Sequence, residues 1–145
     1  MSAAAPSGDR APPEGFHPHQ HRSPLTDPWE PLYIARGETG LDLGLYLRPE
    51  HTNRRGMAHG GLIAALADNT MGMACHVAAK ARGFEPGSLV TASLQVDYFG
   101  RAELGQWMVF APTFIKLGKT LSFASLQVTA DGKPVAKASA VFATS

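Results

Sequence analysis

The residues able to do chemistry gather between Asn53 and Asp68 of this 145-residue chain. The stretch opens Asn53-Arg54-Arg55-Gly56-Met57-Ala58-His59-Gly60-Gly61, then becomes a long apolar run holding a lone carboxylate, Asp68. An aspartate among Ala, Leu and Met has poor helix propensity and is costly if buried without a partner. It either satisfies a buried backbone or hydroxyl group, or it does chemistry. A helix start near His59 or Gly60 offers unpaired N–H groups and a partial positive charge. Those suit a carbonyl oxygen developing negative charge, and a carboxylate can activate water or attack directly. Gly60 and Asp68 are eight positions apart, about 12 Å along a helix at roughly 1.5 Å per residue. Both cannot touch one carbonyl from the same helix. If they cooperate, Asp68 comes from a second copy of the chain, which predicts a dimer with sites at its interface.

The elements that position these residues follow from periodicity. Residues 31–35 and 41–47 read as a hairpin around Gly37-Glu38-Thr39-Gly40, with Leu41, Leu43, Leu45 and Leu47 alternating toward one buried face. Residues 51–58 form a polar loop. A helix from about 59 or 60 to 82 carries Leu62, Leu66, Asn69, Met73 and His76 on one side, and its many Gly and Ala residues keep it slim. Four strands follow, near 89–99, 105–116, 120–130 and 134–144, read as a meander. Pro112 marks a bulge or edge, and Asp131-Gly132 a tight turn. A helix on one face of an antiparallel sheet is the economical α+β solution. Residues 1–22, rich in Ala, Pro, Gly and Ser at their start, are expected to be flexible or loosely docked, with one domain over 23–145. Residues 23–29 look like a short helix or turn.

Composition excludes several classes. A formal charge of +1 gives no broad grip on nucleic acid or anionic membrane. The single cysteine, Cys75, cannot form an intrachain disulfide, so a buried inert thiol and a reducing, cytoplasmic setting are expected. No run of about 18 consecutive apolar residues occurs, so no membrane span is expected. His17, His19 and His21 alternate without metal-site spacing, and no metal is expected. No Walker loop, dinucleotide fingerprint or nucleophile elbow is present.

Taken together, Asn53, the His59-Gly60-Gly61 step, Asp68 and Gly118-Lys119-Thr120-Leu121-Ser122-Phe123 resemble the hotdog-fold acyl-CoA thioesterases of the PaaI type, over about residues 30–145. The resemblance implies a six-stranded antiparallel sheet wrapped around one long central helix, dimers with a continuous sheet, and usually a homotetramer. It implies hydrolysis of an aryl or short- to medium-chain acyl-CoA to free acid and CoA, with no cofactor beyond the coenzyme A of the substrate. By position, the Gly60 N–H would polarise the thioester carbonyl. Asp68 of the partner would be base or nucleophile. Asn53 would position water or carbonyl, His59 would brace the loop, and Thr91 would hold the attacking water. Gly61, Arg54, Arg55 and Lys119 would contact substrate. Some relatives carry Ser or Thr one turn after the carboxylate, where this chain has Gly72, which favours Thr91 as the hydroxyl partner.

Plainer readings stand beside these. Asn53 can be a turn residue, Thr91 a strand former, and Arg54, Arg55 and Lys119 solvated loop charges. A non-catalytic acyl-CoA-binding module on the same fold is the alternative function. Hydration of an acyl thioester is a further one, for which His59 and Asp68 stand in the wrong order. The acyl group is left open, with the pocket expected to depend on Met57, Met71, Met73 and Phe99.

Overall fold

The computed structural model describes residues 10–83, 85 and 87–144. Its strands are β1 (His17–Pro18), β2 (Tyr33–Gly37), β3 (Gly40–Tyr46), β4 (Leu89–Tyr98), β5 (Trp107–Lys116), β6 (Leu121–Ala130) and β7 (Lys133–Thr144). One long helix, α1 (Gly60–Ala81), lies between β3 and β4 in the chain. All strands join one antiparallel sheet in the order β1-β2-β3-β5-β6-β7-β4.

Alternation builds the inner face of that sheet. Leu43 and Leu45 of β3, Met108 and Phe110 of β5, and Leu126 and Val128 of β6 are all buried. Against them α1 buries Leu62, Ile63, Leu66, Ala67, Thr70 and Met71, then Ala74, Cys75 and Ala79. By length and composition alone α1 could cross a membrane. Here its buried stripe is the centre of the core, and the small residues let the sheet close round it. At the β6–β7 turn Asp131 and Gly132 both take positive φ, 48° and 82°, as a two-residue hairpin requires. The register shifts between Pro112 and Phe114, in keeping with the bulge that Pro112 predicts.

Several expectations are corrected. The sheet has seven strands, not six, because two residues of the leading segment, His17 and Pro18, pair with β2. The last four strands are not a simple meander. β4 precedes β5 in the chain but pairs with β7 at the far edge, and β5 pairs back with β3. Strand periodicity carries no information about this crossover. The first hairpin strand begins at Tyr33 rather than at residue 31. On α1 the buried stripe leaves out Asn69, Met73 and His76.

Residues 1–9 lie outside the described residues. From Arg10 onward the segment is seated on the sheet: the Arg10 guanidinium stacks 4.0 Å over the Tyr46 ring, and Phe16 meets Trp107 edge-on. His19 is buried, with Nδ1 2.9 Å from the Glu30 carboxylate. That partner lies eleven positions on, beyond any local spacing signal. A short 3-10 helix, Asp27–Trp29, follows within the stretch that reads as a helix or turn. The polar loop before α1 is more ordered than its composition suggests. His51 is buried, and Thr52 and Ala58 bridge across the loop.

Candidate active site

Two clusters form on α1, one at its start and one two turns in. At the start, His59 caps the helix: its Nδ1 accepts the Gly61 N–H at 2.8 Å. A Cβ on Gly61 would crowd that nitrogen at 3.0 Å, so glycine leaves room for the imidazole at the cap. The resemblance makes Gly61 a substrate contact, but its N–H is taken by His59. The Gly60 N–H, first in the helix, has no protein acceptor among the described residues, the normal state of a first-turn amide.

Asn53 holds the loop that delivers this helix start. Its Oδ1 accepts the backbone N–H groups of Arg55 and Met57, at 2.8 and 3.2 Å. Its own N–H donates to the Met57 carbonyl. The turn reading of Asn53 is therefore correct as far as its side-chain oxygen goes.

Tyr98 completes the cluster, and sequence reasoning does not single it out. Its hydroxyl donates a 2.6 Å hydrogen bond to the Gly60 carbonyl, and its ring packs against the Gly60 Cα, where a Cβ would lie 3.5 Å away. Partial burial raises its phenol pKa, so the hydroxyl keeps its proton. As a strand-favouring residue Tyr98 advertises nothing. The one available signal is its place at the end of a strand, two residues before Gly100.

The second cluster is Asp68 with Thr91. The Thr91 hydroxyl donates to Asp68 Oδ1 at 2.7 Å. Thr91 and Tyr98 are seven apart on β4 and would face opposite ways on a regular strand. A bulge between Thr91 and Ser93 shifts the alternation by one residue, and both side chains turn toward α1. Bulges beside active sites commonly re-aim a side chain in this way. One strand thus braces both the helix start and the mid-helix carboxylate.

The remaining candidates divide between the two ends. Arg55 and Met57 line a cavity of about 460 Å³ with Arg101 and Glu103, beside the helix start. Arg54 is exposed in the same loop. Lys119 is exposed at the opposite end of the sheet: it precedes β6, whose Ser122 pairs with Phe142, itself the partner of Thr91. Within one chain it belongs with Asp68, not with Arg54 and Arg55. Met71 is core, while Met57 lines the Arg55 cavity. Burial pushes the Cys75 thiol up to about 11, away from reactive range. Among the described residues, no three His, Cys, Asp or Glu side chains converge to hold a metal ion.

Residues 55–137, more than half of the chain and including every residue of both clusters except Asn53, match the family profile described as the thioesterase superfamily. This chain belongs to that superfamily. The thioesterase is 35% identical over 131 residues to Pseudomonas aeruginosa PA0474, whose name carries a provisional assignment as an esterase; the match covers 90% of this chain and 95% of that one. It is 41% identical over 92 residues to human acyl-coenzyme A thioesterase 13, covering 61% of each chain. Its fold is that of the Thermus thermophilus phenylacetic acid degradation protein PaaI, solved as a mutant: TM-score 0.68, 24% identity, 85% of this chain and all of that one. The thioesterase is thus a thioester hydrolase with the hotdog architecture of the PaaI type.

Proposed function

We propose that the protein hydrolyses acyl-CoA thioesters, aryl or short- to medium-chain, at sites completed by a second copy of the chain. The observation that carries this reading is the division of one helix into two half-sites. The free Gly60 N–H marks one half. The Asp68–Thr91 pair marks the other, about 12 Å further along α1 at roughly 1.5 Å per residue. Neither is sufficient alone, and a twofold axis brings each to its complement. The edge strand β4 supports that assembly. Eight of its ten residues are exposed, and its outer backbone groups have no neighbouring strand among the described residues. The name of the human relative supports coenzyme A as the thiol.

In this mechanism the thioester carbonyl oxygen accepts the Gly60 N–H at the positive end of α1. His59 and Tyr98 both hold the Gly60–Gly61 peptide group just after that donor, one at its N–H and one at its carbonyl. Water sits beside the bonded Asp68–Thr91 pair, donating to the Thr91 hydroxyl oxygen and to the second Asp68 carboxylate oxygen. Asp68 takes one water proton as the oxygen attacks the carbonyl carbon, so a C–O bond forms and negative charge moves to the carbonyl oxygen. Collapse breaks the C–S bond, and the departing thiolate receives the proton from Asp68. The Thr91 bond favours Asp68 as base, since the hydroxyl sets a second acceptor for water beside the carboxylate. Arg55 and Arg101 offer guanidinium groups for the coenzyme A phosphates, and Lys119 of the second copy adds a further cation.

A panel of aromatic and aliphatic acyl-CoAs, followed by thiol release, tests the reading. Asp68→Asn should lower turnover by about 10²–10⁴-fold, the usual worth of a positioned general base, with the melting temperature unchanged. An Asp68→Asn protein of full activity would sink the proposal.

A further inference from the structure

Beyond Asp68 a separate cavity of about 370 Å³ opens between α1, the start of β4 and the β2–β3 hairpin. Two rows of residues lead into it from the reactive pair. On α1, Asp68, Gly72 and His76 repeat every four positions and share a face. On β4, Leu89 stands two before Thr91, ahead of the bulge, and faces the same side. Gly72, His76 and Leu89 all line the cavity, and Asp68 and Thr91 are the next residues on these two rows, just before its lining. The opposite wall is apolar, with Ile34 from β2 and Leu41 from β3, and His21 joins His76 in the lining.

We propose that this cavity seats the acyl group, selecting chains long enough to reach His76 that carry an oxygen at their far end. The proposal rests on the thioesterase reading above and deepens it. His76 lies eight residues past Asp68, about 12 Å at the helical rise of roughly 1.5 Å per residue. That span exceeds a single aromatic ring and suits an extended chain. The body of the chain meets Leu89, Ile34 and Leu41, and its terminus meets two imidazoles. A neutral imidazole has one donor and one acceptor nitrogen, which serves a terminal hydroxyl or a terminal carboxylate. Gly72 keeps the entrance open. A Cβ there would meet only the edge of the Phe142 ring at 3.7 Å, an ordinary contact. A Cβ is therefore accommodated at Gly72, and a larger side chain built on it would fill the way in, with a melting curve checking that the variant folds.

The test measures kcat/KM for straight-chain acyl-CoAs from acetyl upward, each longer chain paired with its ω-hydroxy and ω-carboxy counterparts. Wild-type protein, Gly72→Leu and His76→Phe are compared. In the wild type kcat/KM should climb roughly fourfold per added methylene until the chain spans the cavity, then flatten. At that length the ω-oxygenated thioesters should exceed their parents, and the two termini separate a hydroxyl from a carboxylate preference. Gly72→Leu should leave acetyl-CoA turnover unchanged and lower the longest chains by about tenfold or more. His76→Phe should abolish the preference for the oxygenated terminus. Equal loss at every chain length in Gly72→Leu, or a terminal preference untouched by His76→Phe, overturns the proposed seat alone. Absence of turnover with every thioester, acetyl-CoA included, overturns the thioesterase reading and the seat with it.

Discussion

The hydroxyl of Thr91 and the carboxylate of Asp68, 23 positions apart in sequence, are joined by a 2.7 Å hydrogen bond. It ties the middle of α1 to the start of the edge strand and occupies Oδ1, leaving Oδ2 for water in the proposed reaction. A hydrogen bond to a charged group contributes about 1.5–3 kcal/mol in general, and the exposure of Thr91 places this one at the low end. Thr91→Val should therefore lower kcat about tenfold, while Thr91→Ser, which keeps the donor, retains most of it. Steady-state kinetics beside melting curves separate this from simple destabilisation.

The proposed oxyanion donor can be removed without disturbing the helix. Gly60 is the first helical residue, the position where proline is best tolerated. His59 before it is extended, at φ −67° and ψ 134°, the conformation that precedes proline readily. Gly60→Pro should fold and lose about 10²–10³ in kcat, the worth of one oxyanion-hole donor. Mixing it with Asp68→Asn, after dissociation and reassociation, should restore about a quarter of wild-type sites if pairing is random between twofold-related chains. No recovery from such a mixture would show that the two residues serve the same copy.

Tyr98 is expected to act through Gly60. Tyr98→Phe keeps the ring against the Gly60 Cα and removes only the bond to its carbonyl. A net loss of about 1 kcal/mol is typical of one such bond, so kcat should fall roughly fivefold with KM nearly unchanged. An equal rise in KM would instead assign Tyr98 to substrate binding.

His51 should make stability depend on pH. Its ring is buried, with Nδ1 accepting the Arg48 N–H and Nε2–H donating to the Trp29 carbonyl, each at 2.9 Å. Burial, the first cause, holds its pKa below the ordinary histidine range. On acidification the unfolded chain takes up a proton near pH 6.5 while the folded ring stays neutral. The unfolded state then binds more protons, so stability is full above about pH 6.5 and falls as pH drops toward the folded value. Melting temperatures from pH 8 down to 5 check this, and His51→Gln should be less stable at pH 8 with a flatter profile.

Much of this architecture is legible in the chain. The leucine alternation of β3, the Asp131-Gly132 turn, the break at Pro112 and the slim helix with its interior aspartate each rest on local physics. The separation of Gly60 from Asp68 needs only the helical rise. What escapes depends on distant neighbours. Nothing local places β4 beside β7. A two-residue strand such as β1 has no period to detect. His51 and His19 are buried by partners 22 and 11 positions away. The bulge after Thr91 reverses the alternation that would otherwise set Thr91 against Tyr98, and Arg101 meets the Arg55 loop only after the sheet has formed.

The edge strand has a consequence for the protein's life in solution. Natural sheets blunt their edges with lysine, proline, short strands or covering loops, because an open row of amides templates pairing with any extended segment. The ten residues of β4, Leu-Val-Thr-Ala-Ser-Leu-Gln-Val-Asp-Tyr, include no lysine and no proline, and a single charge at Asp97. A chain left with that edge open is a nucleus for aggregation. In the proposed dimer the second copy would cover this edge, so the same ten residues would serve both solubility and the completed site.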